Sequence, residues 1–424
     1  MIITRRSFLL TGAVSSAVIA APAIVRASEK TTVTISQAAP TYQAVLSGLT
    51  TEFEKENASM SVKFVADGDS WDPLLNNTIR ASMINSLPDA SWQALSYTGI
   101  LASRHIAQPL NKLFANDLGS LEALGISKAM IDATTVNDEV YSIPYGTTIP
   151  IIYCNMNLLR KVGYSMQQPP ASWDEIHDIG LKIKTLDGAV NGGFIEYMAN
   201  NAWIFQTLLA SYGGRMMNSA RTSIAFDGRE GLQALNTLSR FGGIVRTDMS
   251  TEQARQAFKA GLTAMHIQSA SGTTSIAKAV NGNFELAVGQ IPVAVPEGRL
   301  AGAGHGFVMF TKDAAKQKVI WEFMKFAVGK KGQMILAKNS GYIPISLVAL
   351  KDPAFLDEYL KINPLHRGIV ERLAITGDQF SFSSDNTVMI AKMMSDEMRE
   401  VIFQRKAPAT ALQAMATETK KLLG

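Results

Sequence analysis

Five aromatic residues, Trp71, Trp92, Tyr97, Trp203 and Tyr342, fall near expected strand ends or bends, and Thr147, Thr148, Ser269 and Ser271 supply short hydroxyls. An aromatic face stacks on the C–H surface of a polyol while hydroxyls pair with its oxygens, so this set suits recognition of a hydroxyl-rich molecule. Bond-making chemistry has less to work with. GxSxG, a Walker loop, HExxH and a strand-borne GxGxxG are absent, and the histidines at 105, 177, 266, 305 and 366 are too dispersed to ligate a metal. Neither catalytic residues nor a metal nor a cofactor is therefore expected, although Asp67, Asp69 and Asp385 keep a secreted hydrolase or lyase open as an alternative. Gly302-Ala303-Gly304-His305-Gly306 reads as a turn with a superficial likeness to a phosphate loop. It precedes a strand, so no helix amino terminus faces an anion there, but His305 is a candidate ligand contact. His266 alternates within an apolar strand and reads as a core residue. Cys154, the single cysteine, follows Ile151, Ile152 and Tyr153, which fits an inert core thiol and excludes an intrachain disulfide.

The elements that position these residues centre on residues 250–275. Ser250 with Gln253 three residues later forms a capping box, Ala254, Ala257 and Phe258 share a helical face, and Gly261 supplies a left-handed exit. Residues 262–268 then read as a buried parallel strand, and Ser269, Ser271, Gly272, Thr273 and Thr274 crowd its carboxyl end, where open α/β sheets hold ligands. Upstream, expected strands at 32–36 and 62–65 alternate with helices at 42–55 and 74–84, the pattern of βαβ units and a parallel sheet. Residues 140–155 differ. Pro144 and Pro150 bracket Gly146, Thr147 and Thr148 in a strongly β-prone run, so this strand bends or changes sheet and reads as a first crossing between lobes. Residues 203–212 are apolar nearly all round, which suits a helix buried between layers.

At 424 residues and 47% hydrophobic content, the chain exceeds the size at which one core usually divides. Thr4-Arg5-Arg6-Ser7-Phe8-Leu9 reads as a twin-arginine export signal, its apolar stretch too short to span a bilayer comfortably, with cleavage expected after Ala27. The formal charge of +4 falls by three on losing Arg5, Arg6 and Arg26. Basic and acidic residues are otherwise interspersed, so nucleic acid is not an expected partner. The expected location is the periplasm.

Several segments together carry a resemblance: Leu87-Pro88-Asp89, Ile143-Pro144-Tyr145 through Asn155, Pro169-Pro170 with Ser172-Trp173-Asp174-Glu175, Phe258 with Gly261, Ala264-Met265, Ser271-Gly272, Phe284 with Val288-Gly289, and Gly341-Tyr342-Ile343-Pro344. In this order the chain resembles the family 1 extracellular solute-binding proteins of carbohydrate ABC importers, nearest their glycerol-3-phosphate-binding branch. The resemblance implies a two-lobe periplasmic-binding-protein fold of the α/β class. Each lobe would be a mostly parallel sheet flanked by helices, with the ligand cleft between lobes and hinge closure presenting the ligand to an inner-membrane permease. Residues 28–145 with 273–328 are expected in one lobe and 146–272 with 329–424 in the other, in a monomer. By resemblance, Trp71 takes the place of a ligand-contacting tyrosine, Thr147 and Thr148 of paired serines, and Ser271 of a ligand-binding serine. The Gly302–Gly304 turn takes that of a glycine pair, Tyr342 of a tyrosine and Trp203 of a tryptophan in the cleft wall. With Trp92, Ser269, Gly304, His305 and Asp385, these form the expected ligand-binding set. Two departures stand out. Ala94 or Leu95 replaces a glutamate of that branch, and Ser383, with Asp385 nearby, replaces an arginine. Loss of an arginine fork removes the natural partner of a phosphate and favours a neutral sugar or polyol.

Overall fold

A computed structural model describes residues 30–38, 42–111, 125–126, 130–131, 134–186, 189–198, 201–382, 384 and 386–424. The export segment with its cleavage point near Ala27, and the expected site residue Asp385 with its neighbour Ser383, lie outside the described residues.

The amino-terminal alternation folds as its periodicity implies. Strand β1 (Thr31–Gln37), the helix Gln43–Glu56, β2 (Met60–Ala66), the helix Trp71–Met83 and β3 (Ala90–Ala94) follow in order, and β1 pairs in parallel with both β2 and β3. Apolar residues at Val45, Leu46, Leu49 and Phe53 turn one face of the first helix onto the sheet. After a small hairpin, β4 (Thr135–Val136) and β5 (Glu139–Val140), the chain reaches β6 (Ser142–Thr148) and β7 (Pro150–Asn155). These two belong to different sheets, so the proline-bracketed run does change sheet, at Ile149.

The first sheet runs β12-β6-β11-β3-β1-β2, with β11 at Leu300–Met309 and β12 at Ile343–Pro344; β13 (Thr376–Asp378) pairs with β11. The second runs β10-β7-β9-β8, from Leu286–Gln290, Pro150–Asn155, Met265–Ser269 and Phe194–Ile195. Neither is mostly parallel. In the first, β3–β11, β11–β6 and β6–β12 are antiparallel, and in the second only β8–β9 is parallel. The antiparallel pairs of the two sheets all involve β6, β7 or β11, the strands at the crossings between the halves, whereas β11 also pairs in parallel with β13.

Two separate cores define the halves. One gathers Val33, Phe53, Trp92, Tyr145, Phe307 and Trp321, the other Ile152, Tyr153, Phe205, Phe258, Ile267 and Met398. Later segments of the chain divide between the two cores. Ile276, Val280, Phe284, Ile291 and Leu300 pack in the second core. Leu336, Tyr342 and Ile345 pack in the first core, while Ala337 and Ile343 pack in the second.

The glycines at 302, 304 and 306 are not a turn. They alternate along β11 on one face, where a Cβ at Gly304 would lie 2.7 Å from Leu95 Cδ1 and one at Gly302 would run into Thr376 Cγ2, so they admit close packing against that face. The opposite face of the same strand carries Ala301, Ala303, His305 and Phe307. At His305 the β11–β6 register slips by one, leaving Tyr145 as the extra residue on β6. Such a bulge twists the pair locally and re-aims side chains.

Candidate functional site

Where the halves meet, seven of the expected residues line a common cleft of about 290 Å3: Trp71, Thr148, Trp203, Ser269, Ser271, His305 and Tyr342. The volume sits near the lower end of ligand pockets, which span roughly 300–1,000 Å3.

One wall is aromatic. Trp71 opens its helix directly after Ser70, and its ring stacks on His305 with centroids 3.9 Å apart and planes 22° from parallel. Tyr42 lies against Trp71 at 5.9 Å and against Tyr342 at 5.4 Å, and the Tyr342 hydroxyl donates to Tyr42 Oη at 2.9 Å. His305 is buried, and neither of its ring nitrogens has a hydrogen-bond partner among the described residues. Burial therefore disfavours the imidazolium and lowers the His305 pKa to about 3. The ring is neutral at physiological pH, with one N–H donor and one acceptor nitrogen, both shielded from solvent.

The facing wall is polar. Thr148 Oγ1 and Ser269 Oγ lie 2.8 Å apart, Ser269 Oγ and Ser271 Oγ 2.7 Å apart, and the Ser271 N–H donates to Thr148 Oγ1 at 3.1 Å. The Tyr153 hydroxyl holds this cluster by donating to the Ser269 carbonyl at 2.9 Å. Trp203 begins the buried helix Trp203–Ser211, and its indole N–H donates to the Ala301 carbonyl at 2.7 Å. That bond ties the second half to the crossing strand.

Three expected residues do not line the cleft. Trp92 is fully buried behind Trp71 and meets it edge-on at 5.6 Å, so it backs the wall instead of forming it. Thr147 faces away from Thr148 along β6 and donates its hydroxyl to the Ala303 carbonyl at 3.2 Å. Gly304 points to the wrong face of β11 and into Leu95.

The cleft also holds side chains that the sequence reading passed over. Arg255, on the capped helix Thr251–Lys259, makes a two-pronged ion pair with Glu196, Nε to Oε1 at 2.8 Å and Nη2 to Oε2 at 2.9 Å. His266 Nε2 lies 3.3 Å from the same carboxylate. Burial opposes ionisation of Glu196, but Arg255 and His266 outweigh it and hold its pKa below the usual carboxyl value. Asp72 and Glu252 line the cleft as well, with Asp69, one of the acids that the sequence offers for a hydrolase or lyase. Asp72 accepts from the Tyr97 hydroxyl, and burial raises its pKa despite that bond. Glu196 was detectable as the one acid in the apolar run Phe194–Met198, whereas Tyr42, Asp72 and Arg255 carry no comparable signal. Among the described residues, no three or more His, Cys, Asp or Glu side chains are grouped to hold a metal.

Two cores joined by crossing strands, with a ring-and-hydroxyl cleft at their junction, define a two-lobed solute-binding protein. The chain belongs to the bacterial extracellular solute-binding proteins, whose family model matches residues 48–360. It is 29% identical over 236 residues to the sn-glycerol-3-phosphate-binding periplasmic protein of Brucella melitensis, a match covering 53% of either chain. The chain thus spans about half the length of such curated relatives. Its fold is that of the GacH receptor of Streptomyces glaucescens, solved unliganded and with acarbose (TM-score 0.77, 18% identity, 93% of this chain and 98% of that one). A Mycobacterium tuberculosis protein solved with glycerophosphocholine is equally similar in fold (TM-score 0.78, 16% identity, 91% of this chain and 98% of that one).

Proposed function

We propose that the protein captures a hydroxyl-rich solute of the carbohydrate or polyol class in the cleft between its lobes, and that closure about the hinge presents it to an inner-membrane ABC permease. The observation that carries this reading is His305. A buried, neutral imidazole with both nitrogens unpartnered, stacked under Trp71 on the cleft wall, suits a ligand that presents hydroxyls to its edge and a C–H face to the rings. Ligand contacts from both lobes would favour the closed arrangement over the open one.

Charge favours an uncharged occupant of this cleft over a phosphoester. Its single arginine is already engaged by Glu196, and Asp69, Asp72 and Glu252 add negative charge beside it. A phosphoester remains the second reading, because the Brucella relative is named for one. In this proposal the first lobe comprises residues 28–148 and about 303–345, and the second 149–302 and 346–424. Trp71, Thr148, Trp203, Ser269, Ser271, His305 and Tyr342 contact the solute. Export by the twin-arginine route, cleavage near Ala27, action as a periplasmic monomer and the absence of catalysis complete it.

The test is a thermal-shift series over mono-, di- and oligosaccharides, polyols and glycerol phosphoesters. A ligand bound only by the folded state at 100 times its Kd stabilises by about 2.7 kcal/mol, which is readily measured. A shift with neutral sugars or polyols is expected. A shift with phosphoesters alone would overturn the neutral reading, and chemical conversion of the added solute would overturn the binding function.

A further inference from the structure

Beyond Trp203 the wall of the cleft continues into a second cavity of about 510 Å3. Ala301 and Ala303 lie on the same face of β11; Ala303 lines the cleft, and Ala301 lines the second cavity. Trp203 faces the cleft, while Gln206, Leu209 and Ala210 of the same helix line the cavity. The charge reverses across this divide. Arg215, Arg221 and Arg299 line the second cavity against one acid, Glu297.

None of these three arginines has a carboxylate within ion-pair distance among the described residues, as Arg160, Arg240, Arg255, Arg399 and Arg405 do. Their contacts are neutral. Arg215 donates to Ser219 Oγ at 3.2 Å, Arg299 to the carbonyls of Glu297 and Gly298 at 3.0 and 3.1 Å, and Arg221 lies 5.8 Å over the Phe380 ring. Arg221 is also held in the left-handed region, at φ 54°. Asn218 builds the turn that imposes this, accepting the Thr222 N–H at 2.9 Å and, through its carbonyl, the Arg221 N–H at 3.0 Å. A residue with a side chain adopts that conformation only when its surroundings enforce it. Three solvent-exposed guanidinium groups line one cavity without a carboxylate partner, and the ligand they suit is an oxyanion whose oxygens accept the paired N–H donors of a guanidinium fork.

We propose that this cavity is an anion-binding site for a carboxylate, sulfate or phosphate group, adjoining the solute cleft and separate from it. The anion is either free in solution or an acidic substituent on a solute whose neutral part occupies the cleft; only the second source rests on the function proposed above.

The experiment uses the full chain at low ionic strength, where screening is least, and compares wild type with an Arg221→Gln, Arg299→Gln double variant and with Arg215→Gln alone. Inorganic phosphate and sulfate are titrated against chloride at equal ionic strength. In parallel, a neutral oligosaccharide is compared with its uronate-bearing or sulfated counterpart. Oxyanion binding that exceeds chloride and weakens about tenfold or more in the variants, as expected for loss of charge-assisted bonds, identifies a free anion. A preference for the acidic sugar that vanishes in the variants, with neutral-sugar affinity unchanged, identifies a substituent of the solute. If neither oxyanions nor acidic sugars are distinguished from their controls, or the variants bind them as wild type does, the proposal is wrong. Failure of every neutral sugar to bind would count against the cleft reading alone, because the inorganic-anion arm does not depend on it.

Discussion

Trp71 covers the face of His305 at 3.9 Å, although the two residues come from well-separated segments of the chain. The stack sets the imidazole in the cleft wall with its edge unpaired, so one aromatic residue both presents a surface and orients a polar group beside it.

His305→Phe keeps a ring under Trp71 and deletes the two unpartnered nitrogens. Removing buried polar atoms that lack partners is neutral or stabilising, so the melting temperature should hold or rise while solute affinity falls by about tenfold, the worth of one good hydrogen bond. Thermal melts and calorimetric titration of the same preparation check both. Undiminished affinity would remove His305 from the site.

Stability should fall on acidification through the histidine range. The folded-state pKa values of His305 and His366 are lowered to about 3 and about 4 by burial, whereas the unfolded chain takes up a proton near 6.5. The unfolded state then binds more protons, so the stabilisation is complete above about pH 6.5 and is lost as pH falls toward those values. Each histidine contributes up to about 1.4 kcal/mol per pH unit. Denaturant melts between pH 7 and 4.5 should show a shallower loss in His305→Phe than in wild type, and equal slopes would contradict the burial argument.

Trp71→Ala should destabilise the protein without ligand. From the sequence, Trp71 reads as a ligand-contacting residue, but it is 6% exposed and packs in the first core. Truncation of a buried tryptophan costs about 3–5 kcal/mol. Trp71→Phe is the better probe of solute stacking, and unfolding curves of the pair separate the two roles.

Arg255→Met should cost more than loss of an exposed ion pair. It leaves the Glu196 carboxylate, 3% exposed, with His266 alone. Breaking a buried pair costs about 3–5 kcal/mol, and solvent at the 37% exposed arginine reduces that to about 2–3 kcal/mol. Adding Glu196→Gln should restore part of the loss, and a double-mutant cycle by urea unfolding measures the recovery.

Ser250→Ala should cost about 1 kcal/mol, because the Ser250 hydroxyl and the Gln253 side chain satisfy each other's backbone amides at the start of Thr251–Lys259. Solute affinity should be nearly unchanged while the helix that carries Arg255 frays. Amide exchange at its first turn is the measurement.

The sequence by itself determined whatever depends on neighbours along the chain. The capping box at Ser250, the helical face of residues 43–56, the all-round apolar helix at Trp203 and the proline-bracketed change of sheet near Ile149 each rest on local periodicity or backbone geometry. Only the tertiary structure decided which way strand residues point and which charges meet. Glycines at 302, 304 and 306 look like a turn in one dimension; in the sheet their alternation becomes one tightly packed face of β11, with His305 on the other. Trp92 and Trp71 are chemically alike in sequence, yet sheet pairing with Phe307 sinks the first behind the second. Glu196 and Arg255, 59 residues apart, form their ion pair only because the strand and helix that carry them pack together. A strand's period of two says that its faces differ but not which one meets the other lobe, and that choice is made by long-range pairing.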